Sequence, residues 1–257
     1  MSLCQMLAVC VLWGAGVDAG APGVAPDAWT PPHWEIAPEI SVFQYDEPGL
    51  MKEKGVLYGV AGAHTWYRPD HLWRLEGEFA YGTLDYEGSL QDGTPYTIEN
   101  CHDYLLNLRL VWGGRWQAKG WDNQCTAGLG YRGLNDDSST DPLGYDRQSA
   151  YIYVPVALRM RHELSDHWQI GLGGEFDFLL LGMQFSQIAG DGVLTNLQWP
   201  GIGAGASVEL RYRSSAMDLA LRPFLQYWWV DDSTAAHGWY EPRNDSLQYG
   251  LSLIWRF

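Results

Sequence analysis

Residues 246–257 read SLQYGLSLIWRF, and the alternation in this stretch decides the fold. Leu247, Tyr249, Leu251, Leu253, Trp255 and Phe257 fall on one face, with Gln248, Ser252 and Arg256 on the other. Side chains that alternate with period two lie on opposite faces of an extended strand. Globular strands average about 5–6 residues. This one is long enough to cross a bilayer as a tilted strand, which takes about 9–11.

The same pattern runs back through the chain. In 72–85, Trp73, Leu75, Phe79 and Tyr81 oppose Arg74, Glu76 and Glu78. In 103–112, Tyr104, Leu106, Leu108, Leu110 and Trp112 oppose Asp103, Asn107 and Arg109. Segments 168–180 and 218–230 repeat it, and 34–45, 55–67, 121–134, 150–162 and 197–213 do so less cleanly. The facing of 55–67 is open. Helical periodicity is hard to find. Short connections near 68–71, 113–120, 163–167 and 214–217 alternate with long ones near 46–54, 87–102, 135–149, 182–194 and 231–245. Tight turns on one side and long loops on the other predict an all-β chain: a single transmembrane antiparallel up-and-down β-barrel of ten strands. Eight or twelve strands are the alternatives if a hairpin near 182–201 has been merged or split.

Composition agrees. The chain has 257 residues, 14 of them Trp and 15 Tyr, and a formal net charge of −15, which argues against nucleic acid as a partner. Trp34, Trp66, Trp73, Trp112, Trp116, Trp121, Trp168 and Trp255 fall beside the short turns. Tyr45, Tyr81, Tyr86, Tyr104, Tyr131, Tyr151, Tyr227 and Trp229 fall toward the long loops. Two aromatic levels match the two interfaces of a membrane. Charges within the strands then face a lumen: Arg74, Glu76, Glu78, Arg109, Arg132, Arg159, Glu175, Asp177, Glu209, Arg211 and Arg222. Lys52, Lys54 and Lys119 are the only lysines. A planar, weakly hydrated guanidinium suits enclosed ion pairs, whereas a solvated face would use Lys freely. Ten strands filled with such groups predict an occluded lumen with at most a narrow channel.

Residues 1–19 read as an export signal, cut after Ala19 or Ala21, and 20–33 as a Pro-rich periplasmic leader, leaving 34–257 for the barrel. Beyond the signal only Cys101 and Cys125 remain. A turn near Trp116 would put Cys125 opposite Leu108, about 20 Å from Cys101 at about 3.3 Å per residue. That is too far for a bridge.

The terminal pattern Tyr249-x-Leu251-x-Leu253-x-Trp255-x-Phe257 resembles the β-signal of bacterial outer-membrane β-barrel proteins. The resemblance covers the whole mature chain as architecture. It implies export through the periplasm to the outer membrane of a Gram-negative cell, assembly by the barrel-assembly machinery, and contact with outer-membrane lipid and lipopolysaccharide. A structural, adhesive or narrow-channel role follows; oligomeric state is left open. No cofactor or metal is expected. Ten-stranded barrels also include the omptin proteases, so an outer-membrane hydrolase is the alternative. Its rim candidates are Asp85, His102 with Asp103, and Asp231 or Asp232 with His237, but the omptin motifs are not recognisable. His64 lacks the partner serine that a lipid-modifying hydrolase needs. The acidic run 135–141 reads as a hydrated loop, since it lacks the Gly and terminal Glu of an EF-hand.

Overall fold

The computed structural model describes residues 34–89, 93–139, 141–188, 192–235 and 240–257. The signal and leader readings over 1–33 lie outside the described residues, as does His237. Eleven strands follow one another: β1 (Trp34–Glu47), β2 (Met51–Tyr67), β3 (His71–Ser89), β4 (Pro95–Ala118), β5 (Trp121–Asp137), β6 (Asp146–Glu163), β7 (Trp168–Ile188), β8 (Gly192–Gln198), β9 (Gly201–Arg213), β10 (Asp218–Val230) and β11 (Asn244–Arg256). Each pairs antiparallel with a neighbour, and β1 pairs with β11 to close the cylinder.

Eleven segments make ten staves. The lower part of β7 pairs with β9 and its upper part with β8. β8 and β9 are therefore two halves of one stave, parted at Trp199–Pro200.

The outer surface is apolar in a band. On β1, Trp34, Ile36, Ile40 and Val42 face out, followed by Gln44 and Asp46. On β2, Trp66, Val60, Tyr58 and Val56 give way to Lys54 and Lys52. On β4 the band runs from Trp112 to Tyr104. Trp66, Trp73 and Trp112 sit side by side across three strands at the periplasmic end. Tyr58, Tyr81 and Tyr104 do the same at the external end. A closed barrel with an apolar outside and a polar inside leaves no unpaired sheet edge in lipid.

Above the tyrosine row the barrel continues. β4 is 24 residues long, and β3 and β7 are 19 and 21. Much of what reads as long loop is strand here: 95–102 belongs to β4, 146–149 to β6, and 182–188 to β7. This external collar is polar on its outer face. Its inner face holds the cluster of Phe43, Tyr45, Met51, Leu57, Leu84, Leu105 and Leu134. Tyr45 and Tyr151, expected in the outer belt, are buried inside, and Tyr86 packs against that same inner cluster.

Two local details shift the register. The β4–β5 turn is Lys119–Gly120, both with positive φ (52° and 78°), as a tight two-residue hairpin requires. Cys125 accordingly faces Gly114 rather than Leu108. That puts it roughly 40 Å along the strand from the free, buried Cys101, at about 3.3 Å per residue. On β7 a register shift opposite Ile152 and Tyr153 leaves Leu180 and Leu181 both exposed, while Leu179 turns inward.

Candidate functional site

The lumen is the site, and parity along each strand builds it. Residues that alternate with lipid-facing Trp73, Leu75 and Phe79 put Arg74, Glu76 and Glu78 inside. The same alternation turns Arg109, Arg132, Arg159, Glu175, Asp177, Glu209, Arg211 and Arg222 inward.

Glu76 is the hub. Its carboxylate meets Arg74 at 2.7 Å, Arg109 at 3.1 Å and Arg159 at 2.6 Å. Arg159 comes from β6 and Glu76 from β3, three staves away, so this pair cuts across part of the lumen. Arg109 on β4 reaches Glu175 on β7 at 2.5 Å, another crossing. Arg74 also holds Glu35 at 2.7 Å, and Arg256 bridges Glu35 (3.1 Å) and Glu209 (2.7 Å). Arg211 bonds Asp218 through Nε at 2.6 Å and donates to Gln169 at 3.1 Å. Arg222 lies 3.4 Å from Glu39. Glu78 accepts from Asn107 (2.9 Å) and Gln248 (3.1 Å) rather than from an arginine.

Arg132 and Asp177 stand apart from these pairs. Arg132 lies over the Trp228 ring at 5.7 Å and reaches Gln226 at 3.5 Å. Neither oxygen of the buried Asp177 accepts a hydrogen bond from the described residues. Gly203 makes room here: a Cβ would sit 2.7 Å from the Trp228 ring and 2.9 Å from Asp177. Between the pairs a polar cavity of about 150 Å³ remains, lined by Glu39, Glu76, Arg109, Glu175 and Arg222 among others. It has room for a few waters.

A second charged group occupies the external mouth. Arg147 of β6 pairs with Glu47, with Asp136 at 3.0 Å and more loosely with Glu53 at 3.9 Å. Its guanidinium lies 4.9 Å from the Tyr45 ring, and Tyr45 donates to Glu47 at 3.1 Å. Asp103 completes the group from β4, just outside the apolar band. Burial, then the neighbouring Asp136, pushes the Asp103 carboxyl up to about 8. Burial and Asp136 likewise hold Glu53 well above the usual carboxylate range. Burial raises Glu47 too, with Arg147 opposing it.

Among the described residues, the rim candidates Asp85, His102 and Asp103 do not come together, and His237 lies outside them. His102 points outward, stacked on Tyr81 with Nδ1 2.7 Å from its hydroxyl, while Asp103 points into the lumen. Asp85 accepts the Asn100 N–H at 3.0 Å. Asp231 and Asp232 each accept a backbone N–H, from Asp232 and Arg243. His64 sits in the periplasmic belt between Trp34 and Trp66. In 137–141, one oxygen of Asp137 accepts from Ser139, and one oxygen of Asp141 accepts from Tyr96 of β4 and from the Leu143 N–H.

Sequence reasoning missed Glu35 and Glu39, and put Arg256 on the inward face without counting it among the lumen charges. They alternate with Trp34, Ile36, Ile40, Trp255 and Phe257, so parity was the signal. Arg147, Glu47, Glu53 and Asp136 had no such signal, because the residues beside them are polar too.

No protein-family model matches the chain, and no curated protein matches it in sequence. Solved structures do match. The outer membrane protease OmpT from Escherichia coli aligns with a TM-score of 0.52 at 10% identity, covering 91% of this chain and 100% of that one. Neisserial surface protein A aligns at 0.38 and 7% identity, over 88% and 97% of the two chains. Ail, the attachment invasion locus protein of Yersinia pestis, aligns at 0.35 and 9%, over 89% and 100%. At such identities the likeness to the protease is one of fold. With the apolar band, the two aromatic rows and the polar lumen, it settles the fold: the chain is a closed ten-stranded antiparallel β-barrel of the outer-membrane type.

Proposed function

We propose that the barrel is a closed, non-enzymatic platform that anchors a rigid acidic collar outside the cell, in a structural or adhesive role. The observation that carries this reading is the set of ion pairs that cut across the lumen between staves three apart, Arg109 of β4 to Glu175 of β7 and Arg159 of β6 to Glu76 of β3. Removing one partner of a buried pair strands the other at a cost of about 3–5 kcal/mol, so the paired arrangement is the favoured one. Eight strands already leave little more than side-chain space, and porin channels need about sixteen. Outer-membrane lipid and lipopolysaccharide are the expected contacts of the apolar band. The barrel-assembly machinery is the expected reader of Tyr249, Leu251, Leu253, Trp255 and Phe257. Nothing in this reading calls for a cofactor.

Planar-bilayer recording on the purified protein tests it. Silence, or rare small openings, is the expected result. Steady nanosiemens current would mean that the inward charges line a water-filled pore. Specific peptide or lipid cleavage, abolished by changing His102 or His237, would instead establish the hydrolase alternative.

A further inference from the structure

In the external mouth three carboxylates from three strands converge: Glu53 of β2, Asp103 of β4 and Asp136 of β5. One oxygen of each lies within 4.8 Å of the other two. Asp103 and Asp136 are direct partners across the β4–β5 ladder. All three side chains are buried, and Asp103 is fully so at 0% exposure.

A separate observation concerns what these groups lack. Both oxygens of Asp103, Oε1 of Glu53 and Oδ1 of Asp136 are buried and accept no hydrogen bond from the described residues. Among the described residues, Arg147 is the one cation within ion-pair distance of the cluster, and it is shared with Glu47. Four carboxylates thus face a single guanidinium, an excess of three that either protons or a cation must offset. Elsewhere in the lumen arginines meet acids nearly one for one. Buried charge of one sign needs a counter-charge.

We propose that Glu53, Asp103 and Asp136 form a binding site for a divalent cation of the calcium class. The donors are all carboxylate oxygens, which suit a hard cation rather than a thiolate- or imidazole-seeking one. The geometry fits the size. Three points no more than 4.8 Å apart share a centre no farther than about 2.8 Å from each, close to the calcium–oxygen range of about 2.3–2.6 Å. Magnesium, which needs about 2.0–2.1 Å in a strict octahedron, would require the cluster to contract. The second oxygen of Asp103 is available for bidentate contact, and Arg147 keeps the far oxygen of Asp136 oriented. A bound ion would brace β2, β4 and β5 at the mouth, above the apolar band where external water supplies it.

The experiment uses the full chain folded in detergent, stripped with a chelator and titrated with calcium chloride. Thermal unfolding and terbium luminescence are the readouts. Calcium should raise the unfolding temperature with half-saturation between about 10⁻⁵ and 10⁻³ M, and magnesium should do far less. Asp103→Asn and Glu53→Gln should each weaken calcium binding by about tenfold or more, since affinity follows ligand charge count. Both substitutions keep shape and remove surplus charge. In chelator the variants should therefore fold, shown by heat-modifiable migration, and be no less stable than the parent. A parent indifferent to calcium up to about 10 mM overturns the site, because that is well above the range of external calcium modules. So does a calcium response that survives in both variants, which would assign the ion elsewhere.

Discussion

Below the external tyrosine row, arginines and carboxylates share the lumen in near balance; above it, four carboxylates share Arg147. The two regions belong to the same ten staves and differ in what surrounds them. Around the lower lumen the outer face is hydrocarbon, marked by Ile36, Leu75, Leu108 and Leu110. A charge there has no recourse but another side chain, and the pairs centred on Glu76 and Glu35 supply it. Around the collar the outer face carries Gln44, Asp46, Lys52, Lys54 and Asp85. Water and ions reach it, so an unbalanced cluster is tolerable. The lesson is that the medium outside the wall sets how strictly the charges inside must pair.

The largest test of that difference is Glu76→Gln. It leaves Arg74, Arg109 and Arg159 without their shared carboxylate, and we expect a loss of about 3–5 kcal/mol in denaturant unfolding from lipid or detergent. Glu47→Gln in the collar removes one acid from a surplus and should cost much less. Equal losses would break the comparison. A smaller effect is expected on the outer wall. Leu108 lies midway between Tyr104 and Trp112 on β4, at the middle of the band. Leu108→Arg should cost about 2–4 kcal/mol there, as charges do at a bilayer midplane. Gln148→Arg, on the exposed outer face of the collar, should stay within about 0.5 kcal/mol. A costly Gln148→Arg would mean that lipid reaches higher than the tyrosine row.

The same boundary explains what the sequence could reveal. Within the band, lipid forces apolar residues onto one face, so alternation is legible and ten staves with their inward charges can be read directly. Above the band both faces are polar, contrast vanishes, and the continuations of β3, β4, β6 and β7 read as loops. Arg147 fell into such a supposed loop and so was not seen as a lumen residue. Tyr45 was misread for another reason: its level suggests a belt, yet it shares parity with Glu35 and Glu39, which points inward. Register was lost where glycine misleads. Gly113 and Gly114 look like a turn but lie in β4, while the turn itself is the less conspicuous Lys119–Gly120. The bulge at Leu180 and the break at Pro200 are tertiary adjustments of the barrel wall that simple alternation does not encode.

The smallest effect we expect is a pH dependence confined to the collar. Burial holds Asp103 up to about 8 and Glu53 well above the usual range, with Asp136, Arg147 and Asp137 as the charged neighbours. An acid whose pKa is higher in the folded state than in the unfolded one binds more protons when folded. Stability must then fall as pH rises from about 4, the unfolded carboxylate value, to about 8, and level off beyond it. In chelator, the unfolding temperature should drop steadily across that window. Asp103→Asn should flatten the slope, since the amide carries no charge at any pH. Saturating calcium should flatten it too, because a bound cation takes the place of the protons. An unfolding temperature that instead rises across this range would mean that the mouth carboxylates are already compensated, and the asymmetry between mouth and lower lumen would disappear.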